Sequence, residues 1–233
     1  MPRRIDELIN QQVMKSEVAA HKAREAGLPP VKPVITISRS MGSGARIIAQ
    51  KLSQDLGWSL WDKELLDAMA DEASVSRKVV EEFDERSISD VNILIRDILG
   101  EHEMGGFLYP RHLIRAVLGI ARLGNAIILG RGANFILPRA LNVRIDAPEA
   151  LRVQNMITYE NLTKEQAIEK LHRSDKERAQ FLKKVFGKEV SDGHCTYHLS
   201  LCMCAFTNDG AVEILKQAIK DKFGPALKKC EGH

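Results

Sequence analysis

The 233-residue chain has no long apolar run, no strong charge of one sign and no spread of cysteines. No stretch reaches the roughly 18 apolar residues that a membrane-spanning helix needs, so no membrane association is expected. Residues 1 to 27, MPRRIDELINQQVMKSEVAAHKAREAG, alternate charged and apolar residues and lack the continuous apolar segment of a signal peptide. The formal net charge of +3 is too small to mark a general nucleic-acid binder. It leaves room for a local arginine cluster around an anionic ligand. Cys195, Cys202, Cys204 and Cys230 all fall in the last fifth of the chain, unlike a secreted disulfide framework. The cytoplasm is the expected location.

What is present fits one globular α/β domain with a small appendage: 44% hydrophobic and 28% charged residues over 233 positions. Ile5, Leu8, Ile9, Val13 and Val18 recur at roughly helical spacing, and Gly27 with LPPVKP then supplies a stop and a stiff connector. Residues 1–30 therefore read as an appendage helix and linker. The helix either docks on its own domain or meets a partner, which includes a second copy of the chain. The domain proper spans 31–233. Its strands are expected at Val34–Ser38, within WSLWDKE, at Asn125–Gly130, at Asn142–Ala147 and within YHLSLCMCAF. Helices are expected at Ala45–Leu56, from Lys63, in several pieces over 75–123 (with GEHEMGG at Gly100–Gly106 as a break), over 149–186 with Thr163 as an N-cap, and in DGAVEILKQAIKDKF. Strands alternating with helices predict a parallel sheet covered on both faces.

The chemistry centres on VITISRSMGSGARIIAQKLSQDLG, a strand, a glycine pair and a helix. Glycines let backbone N–H groups converge on phosphate oxygens, and the following helix adds its positive end. Set against G-x-x-x-x-G-K-[ST], however, Arg39 replaces the first glycine, Ala45 the lysine and Arg46 the hydroxyl residue. Gly42, Ser43, Gly44 and Ala45 thus form either a phosphate cradle or a turn that serves packing alone. A cation in the first turn of a helix is unfavourable by itself. Arg46 there, with Arg39 on the other side of the loop, favours a bound anion.

These residues, followed in order by WDKELL, AIILGRGANFIL, NVRIDAPEALRV and RSDKERAQF, resemble the cytidylate kinase-like family, a branch of the P-loop nucleoside monophosphate kinases. The resemblance covers about residues 33–222. Loops of that family read Ser-Arg-x-x-Gly-Ser-Gly-Gly-Arg, so Arg46 matches and Ala45 departs. The resemblance implies a P-loop fold with a five-stranded parallel sheet flanked by helices, a helical acceptor-binding insertion, and an arginine-bearing lid over about 149–190. It implies ATP with Mg2+ as donor and a nucleoside monophosphate, CMP among the candidates, as acceptor.

It also assigns roles. Arg131 matches an acceptor-holding arginine, while Gly132 stands where cytidylate kinases carry an aspartate that recognises the acceptor, which puts CMP in doubt. Asp175 and Arg178 match the Asp-x-x-Arg of the lid. There Arg178 and Arg173 close over the transferring phosphoryl group and Asp175 orients them. Asp62, just past the second strand, either contacts the acceptor or a magnesium-bound water, or caps the next helix.

Two other readings stay open. Ala45, Gly132 and His198, which replaces a family aspartate, suit a nucleotide-binding regulatory protein without transfer activity. His194, Cys195, His198, Cys202 and Cys204 form a dense group of metal-ligand types, though no zinc spacing is present. Cys202 and Cys204 alternate along the last strand, which predicts both buried on one sheet face.

Overall fold

Val34, Ile35, Thr36 and Ile37 are β-branched, which suits a buried, pleated strand, and they form most of β1 (Val34–Arg39). Four more strands run parallel to it: β2 (Ser59–Trp61), β3 (Ala126–Leu129), β4 (Leu141–Asp146) and β5 (Leu199–Cys202). Their spatial order is β2-β3-β1-β4-β5. This is the five-stranded sheet that the sequence leads one to expect. The computed structural model describes residues 5–25, 32–71, 108–187 and 196–228. The helices expected over 75–107 and the GEHEMGG break lie outside the described residues, as do His194, Cys195 and Cys230.

Alternate residues of the strands face opposite cores. Ile35, Ile37, Ile127, Leu129, Val143 and Ile145 pack with α2 (Ala45–Leu56) and with the C-terminal helix Asn208–Lys228 on one face. Val34, Ala126 and Ile128 pack on the other face against α1 (Ile5–Glu25), α3 (Lys63–Asp71) and α4 (Leu108–Leu123), with α5 (Ala133–Ile136) at the sheet's end. The appendage helix thus docks on its own domain. Ile9 is fully buried, Ser16 Oγ donates to Ser59 Oγ at 2.8 Å, and Gln12 Oε1 accepts the Leu60 N–H of edge strand β2 at 2.9 Å.

Residues 149–186 are helical as expected, in two pieces, α6 (Glu149–Glu160) and α7 (Lys164–Phe186). Asn161, in the left-handed region at φ 58°, ends α6, and Thr163 opens α7 with a reciprocal capping box to Gln166. Val153, Met156, Ala167 and Leu171 join the pair into a small core of its own. The C-terminal helix, α8 (Asn208–Lys228), completes the order.

Several strand boundaries shift by one residue from expectation, with β1 running on to Arg39 and β4 spanning Leu141–Asp146. β3 stops short of Asn125 and Gly130 because both have positive φ, 48° and 89°, which breaks the ladder. The cysteines are a clearer correction. β5 is short, and it is Leu201 and Met203 that are buried, while Cys202 and Cys204 are exposed.

Candidate active site

Because the strands are parallel, the segments that follow them gather at one edge of the sheet. The glycine loop after β1 is shaped by contacts with α6 and α8. Gly42 and Gly44 sit at φ 76° and 82°. A Cβ on Gly42 would lie 2.6 Å from the Arg152 carbonyl oxygen, and one on Gly44 3.0 Å from Asn208 Oδ1. Gly42 therefore requires glycine for conformation and for space, and Gly44 for its conformation. The loop carbonyls are taken up by α6: Arg152 Nε donates to Met41 O at 2.7 Å and Asn155 Nδ2 to Gly42 O at 2.8 Å. Ser43 N–H turns back to Ser40 O at 3.3 Å.

Helix α2 then begins with no side-chain cap and no acidic residue in its first turn. Its leading N–H groups have no partner within the helix. Ser43 Oγ is buried and, among the described residues, has no hydrogen-bond partner. An uncapped helix start with an orphaned hydroxyl beside it is an arrangement that an anion would satisfy. Ala45 is 1% exposed and packs into the core beneath α2. A lysine side chain at this position would be directed into that core.

Two cavities open here. The first, about 380 Å³, is lined by the whole glycine loop with Arg46, Lys63, Glu64, Asn155, Tyr159 and Arg178 among its walls. The second, about 120 Å³, carries five cationic side chains, Arg39, Lys63, Arg131, Arg144 and Arg178, and one carboxylate, Glu177. Arg39, Lys63, Ser174 and Arg178 line both. They form the common wall.

The cations crowd one another. Burial lowers the Arg39 pKa to about 10, with the nearby charges of Arg178 and Arg46 adding to the effect. Burial also lowers that of Arg178; Arg144 and Arg152 push the same way, against the pull of Asp175. Such a cluster is uncomfortable unless an anion enters it. Part of the charge is already balanced. Asp175 Oδ2 takes Arg152 Nη2 at 2.7 Å and Oδ1 takes Arg178 Nη1 at 3.3 Å. Arg144 Nη2 reaches Ser40 Oγ at 2.8 Å and Asp146 Oδ2 at 2.9 Å. Burial opposes ionisation of Asp146, but hydrogen bonds from Ser40, Arg144 and the Ala147 N–H outweigh it and hold the carboxyl below its ordinary pKa.

Arg46 and Asp62 both serve locally. Arg46, 58% exposed, lines the larger cavity but pairs with Asp62 at 3.2 Å and Glu64 at 3.7 Å. Asp62 accepts the Leu65 N–H at 3.3 Å, so it caps α3 while holding Arg46. Burial, with a hydrogen bond that its carboxyl gives to the neighbouring Glu64, raises the Asp62 pKa.

Arg131 lies in the left-handed region at φ 53°. Its guanidinium makes two bonds to Asp67, Nε to Oδ1 at 2.6 Å and Nη2 to Oδ2, and lies 4.5 Å above the Phe181 ring centre. Tyr109 donates to the same carboxylate at 2.6 Å. Burial and that hydrogen bond push the Tyr109 pKa up. Gly132, at φ 68°, faces the buried Phe186 ring, and a Cβ would lie 2.3 Å from it. The aspartate of cytidylate kinases has no room here while Phe186 keeps its place.

Arg173 does not join the group. It is exposed and lines neither cavity, because two residues' separation from Asp175 turns it about 200° around α7. Sequence reasoning passed over Lys63 as a site residue and missed Arg144, Arg152, Asn155 and Ser174. Lys63 was visible next to Asp62 in WDKELL; the others carry no local signal. His198 is a fastener: its Nδ1 accepts the Asn142 N–H at 3.0 Å and its own N–H reaches Asn142 O at 2.7 Å, tying β5 to β4. Among the described residues no group of three or more His, Cys, Asp or Glu side chains is placed to hold a metal ion, and no helix is long and apolar enough to cross a membrane.

The profile of the cytidylate kinase-like family matches residues 34–204. A cytidylate kinase of Pyrococcus horikoshii is 24% identical over 211 residues, covering 88% of this chain and 98% of that one. One of Pyrococcus furiosus is 24% identical over 205 residues, covering 85% and 95%. Among solved structures, an uncharacterized protein from Eubacterium ventriosum superposes with a TM-score of 0.64 at 21% identity, over 82% of this chain and 99% of that chain.

Proposed function

The chain belongs to the cytidylate kinase-like family, and from that premise we propose that it transfers the γ-phosphoryl group of ATP to a nucleoside monophosphate, CMP or a similar small acceptor. The observation that carries this reading is the wall shared by the two cavities, Arg39, Lys63, Ser174 and Arg178. A phosphoryl group passing from a donor in the loop cavity to an acceptor in the second would cross there. Phosphoryl transfer asks for positioning and charge neutralisation more than for covalent help, and three cations at the crossing supply both. The α2 N-terminus and Ser43 cradle the donor phosphates. Arg131 and Arg144 face the acceptor, and Arg178 closes from α7. Magnesium enters with the donor as MgATP, held chiefly by phosphate oxygens and water.

One feature favours a second reading, nucleotide binding without transfer. Arg131 already spends its guanidinium on Asp67 and Phe181, so an acceptor must compete for it. Purified protein incubated with MgATP and a panel of nucleoside monophosphates separates the two. Diphosphate product from any acceptor supports the kinase; tight MgATP binding with no product supports the second reading and overturns the first.

A further inference from the structure

Strand β5 ends at Cys202, and the chain turns at once, with Ala205 N–H donating to Cys202 O at 3.2 Å. That turn brings the side chains of Cys202 and Cys204 together. Both are exposed, and their Sγ atoms lie 2.9 Å apart. Met203 between them is buried, and its N–H is fixed to Asp146 O at 2.8 Å. The turn is therefore anchored by its centre while two thiols face solvent in mutual contact. A disulfide needs the two sulfurs within reach of one bond, and little backbone movement separates this pair from it.

The turn is also joined to the glycine loop at two points. Asp146, whose carbonyl holds Met203, receives Arg144, and Arg144 also donates to Ser40 at the start of the loop. A few residues on, Asn208 begins α8 and places Oδ1 against Gly44. We infer that Cys202 and Cys204 are a reversible redox-modification site, closing to an intramolecular disulfide that disturbs the donor end of the site. Its effect on MgATP rests on the function proposed above; formation of the bond does not.

The chemistry runs with a low-molecular-weight disulfide such as oxidised glutathione as oxidant. The Cys202 thiolate attacks one glutathione sulfur, forming a mixed disulfide and releasing one glutathione thiolate, which takes up a proton. The Cys204 sulfur, giving up its proton, then attacks the Cys202 sulfur and expels the second glutathione. Two protein thiols become one disulfide, and one oxidised glutathione becomes two reduced. The order follows from asymmetry in the pair. The hydrogen bond from Cys204 lowers the Cys202 pKa, while the same bond raises that of Cys204, and the thiolate is the attacking form.

The test uses the full chain with Cys195→Ser and Cys230→Ser, which leaves only this pair. After treatment with oxidised glutathione, peptide mapping should find the 202–204 segment lighter by two hydrogen atoms, restored by dithiothreitol. Two persistent thiols, or two separate glutathione adducts, would overturn the site. The oxidised protein should bind MgATP about tenfold more weakly, and a Cys202→Ser/Cys204→Ser variant should bind equally before and after treatment. A disulfide with unchanged MgATP affinity would overturn the link to the donor site. Failure of the reduced protein to bind MgATP would instead overturn the proposed function, with the peptide map still deciding the redox site.

Discussion

Arg152 and Asp175 join the glycine loop to α7: Arg152 Nη2 meets Asp175 Oδ2 at 2.7 Å while its Nε holds the Met41 carbonyl at 2.7 Å. The arginine side chain is only 10% exposed, so each of its partners matters. Asp175 is also the carboxylate that holds Arg178. One residue thereby sets both the position of the loop and the aim of the arginine at the shared wall.

Asp175→Asn should leave the chain folded but weaken that double hold. Charge-assisted bonds contribute about 1.5–3 kcal/mol each, and about 1.4 kcal/mol corresponds to tenfold in rate. A fall of about 10- to 100-fold in kcat, larger than the rise in KM for MgATP, is expected from steady-state kinetics. A change in KM alone would place Asp175 in donor binding only.

Arg178 and Arg173 offer a paired comparison on one helix. Arg178→Ala removes a cation from the wall shared by both cavities and should lower kcat by about 10²- to 10³-fold. Arg173→Ala, on the exposed face, should stay within about twofold of the parent. Equal losses in the two variants would contradict the placement of the crossing point.

Arg39 costs stability in the empty protein. Its pKa is lowered to about 10 in the fold, below the ordinary arginine value, so between the folded and unfolded values the unfolded chain binds more protons and stability rises with pH. At neutral pH the penalty stands in full. Arg39→Met should therefore melt higher than the parent without ligand, yet gain less from MgATP, which relieves the like-charge crowding in the parent only. Calorimetric melting with and without MgATP measures both.

Asp146 works in the opposite sense. Its pKa is lowered in the fold, so its contribution is present above the unfolded value, near 3.8, and is lost as pH falls through the lower folded value. The parent should exceed Asp146→Asn in urea midpoint at pH 6, with the gap closing as acid is added below about pH 4. A gap that persisted at pH 2 would mean that packing, not charge, explains the difference.

Much of this molecule is legible in its sequence, and what is not has a physical reason. The β-branched run at Val34–Ile37, the glycine pair and the Thr163 cap announce themselves locally, because each depends on neighbours in the chain. Asp175 and Arg178 sit three apart on a helix and could be paired without coordinates. The Arg131–Asp67 pair could not, with 64 residues between the partners. Nor could Arg152, whose loop partner is a main-chain carbonyl with no side-chain signature. Arg144 reaches the site because β4 lies beside β1 in the sheet. Cys202 and Cys204 do share one face, but Leu201 and Met203 take the buried one, and alternation alone does not say which of two apolar faces meets the core.

The docking of α1 has a consequence for assembly. An outermost strand offers unpaired main-chain groups to any neighbour, and short length or a covering element keeps it from templating aggregation. Here a glutamine side chain from α1 occupies the Leu60 amide of β2. A chain trimmed back to Val34 would uncover the outward-facing Leu60 amide, while Ser59 stays bonded to Asn125 on the β3 side, so the N-terminal helix closes the one main-chain donor that this short edge turns outward.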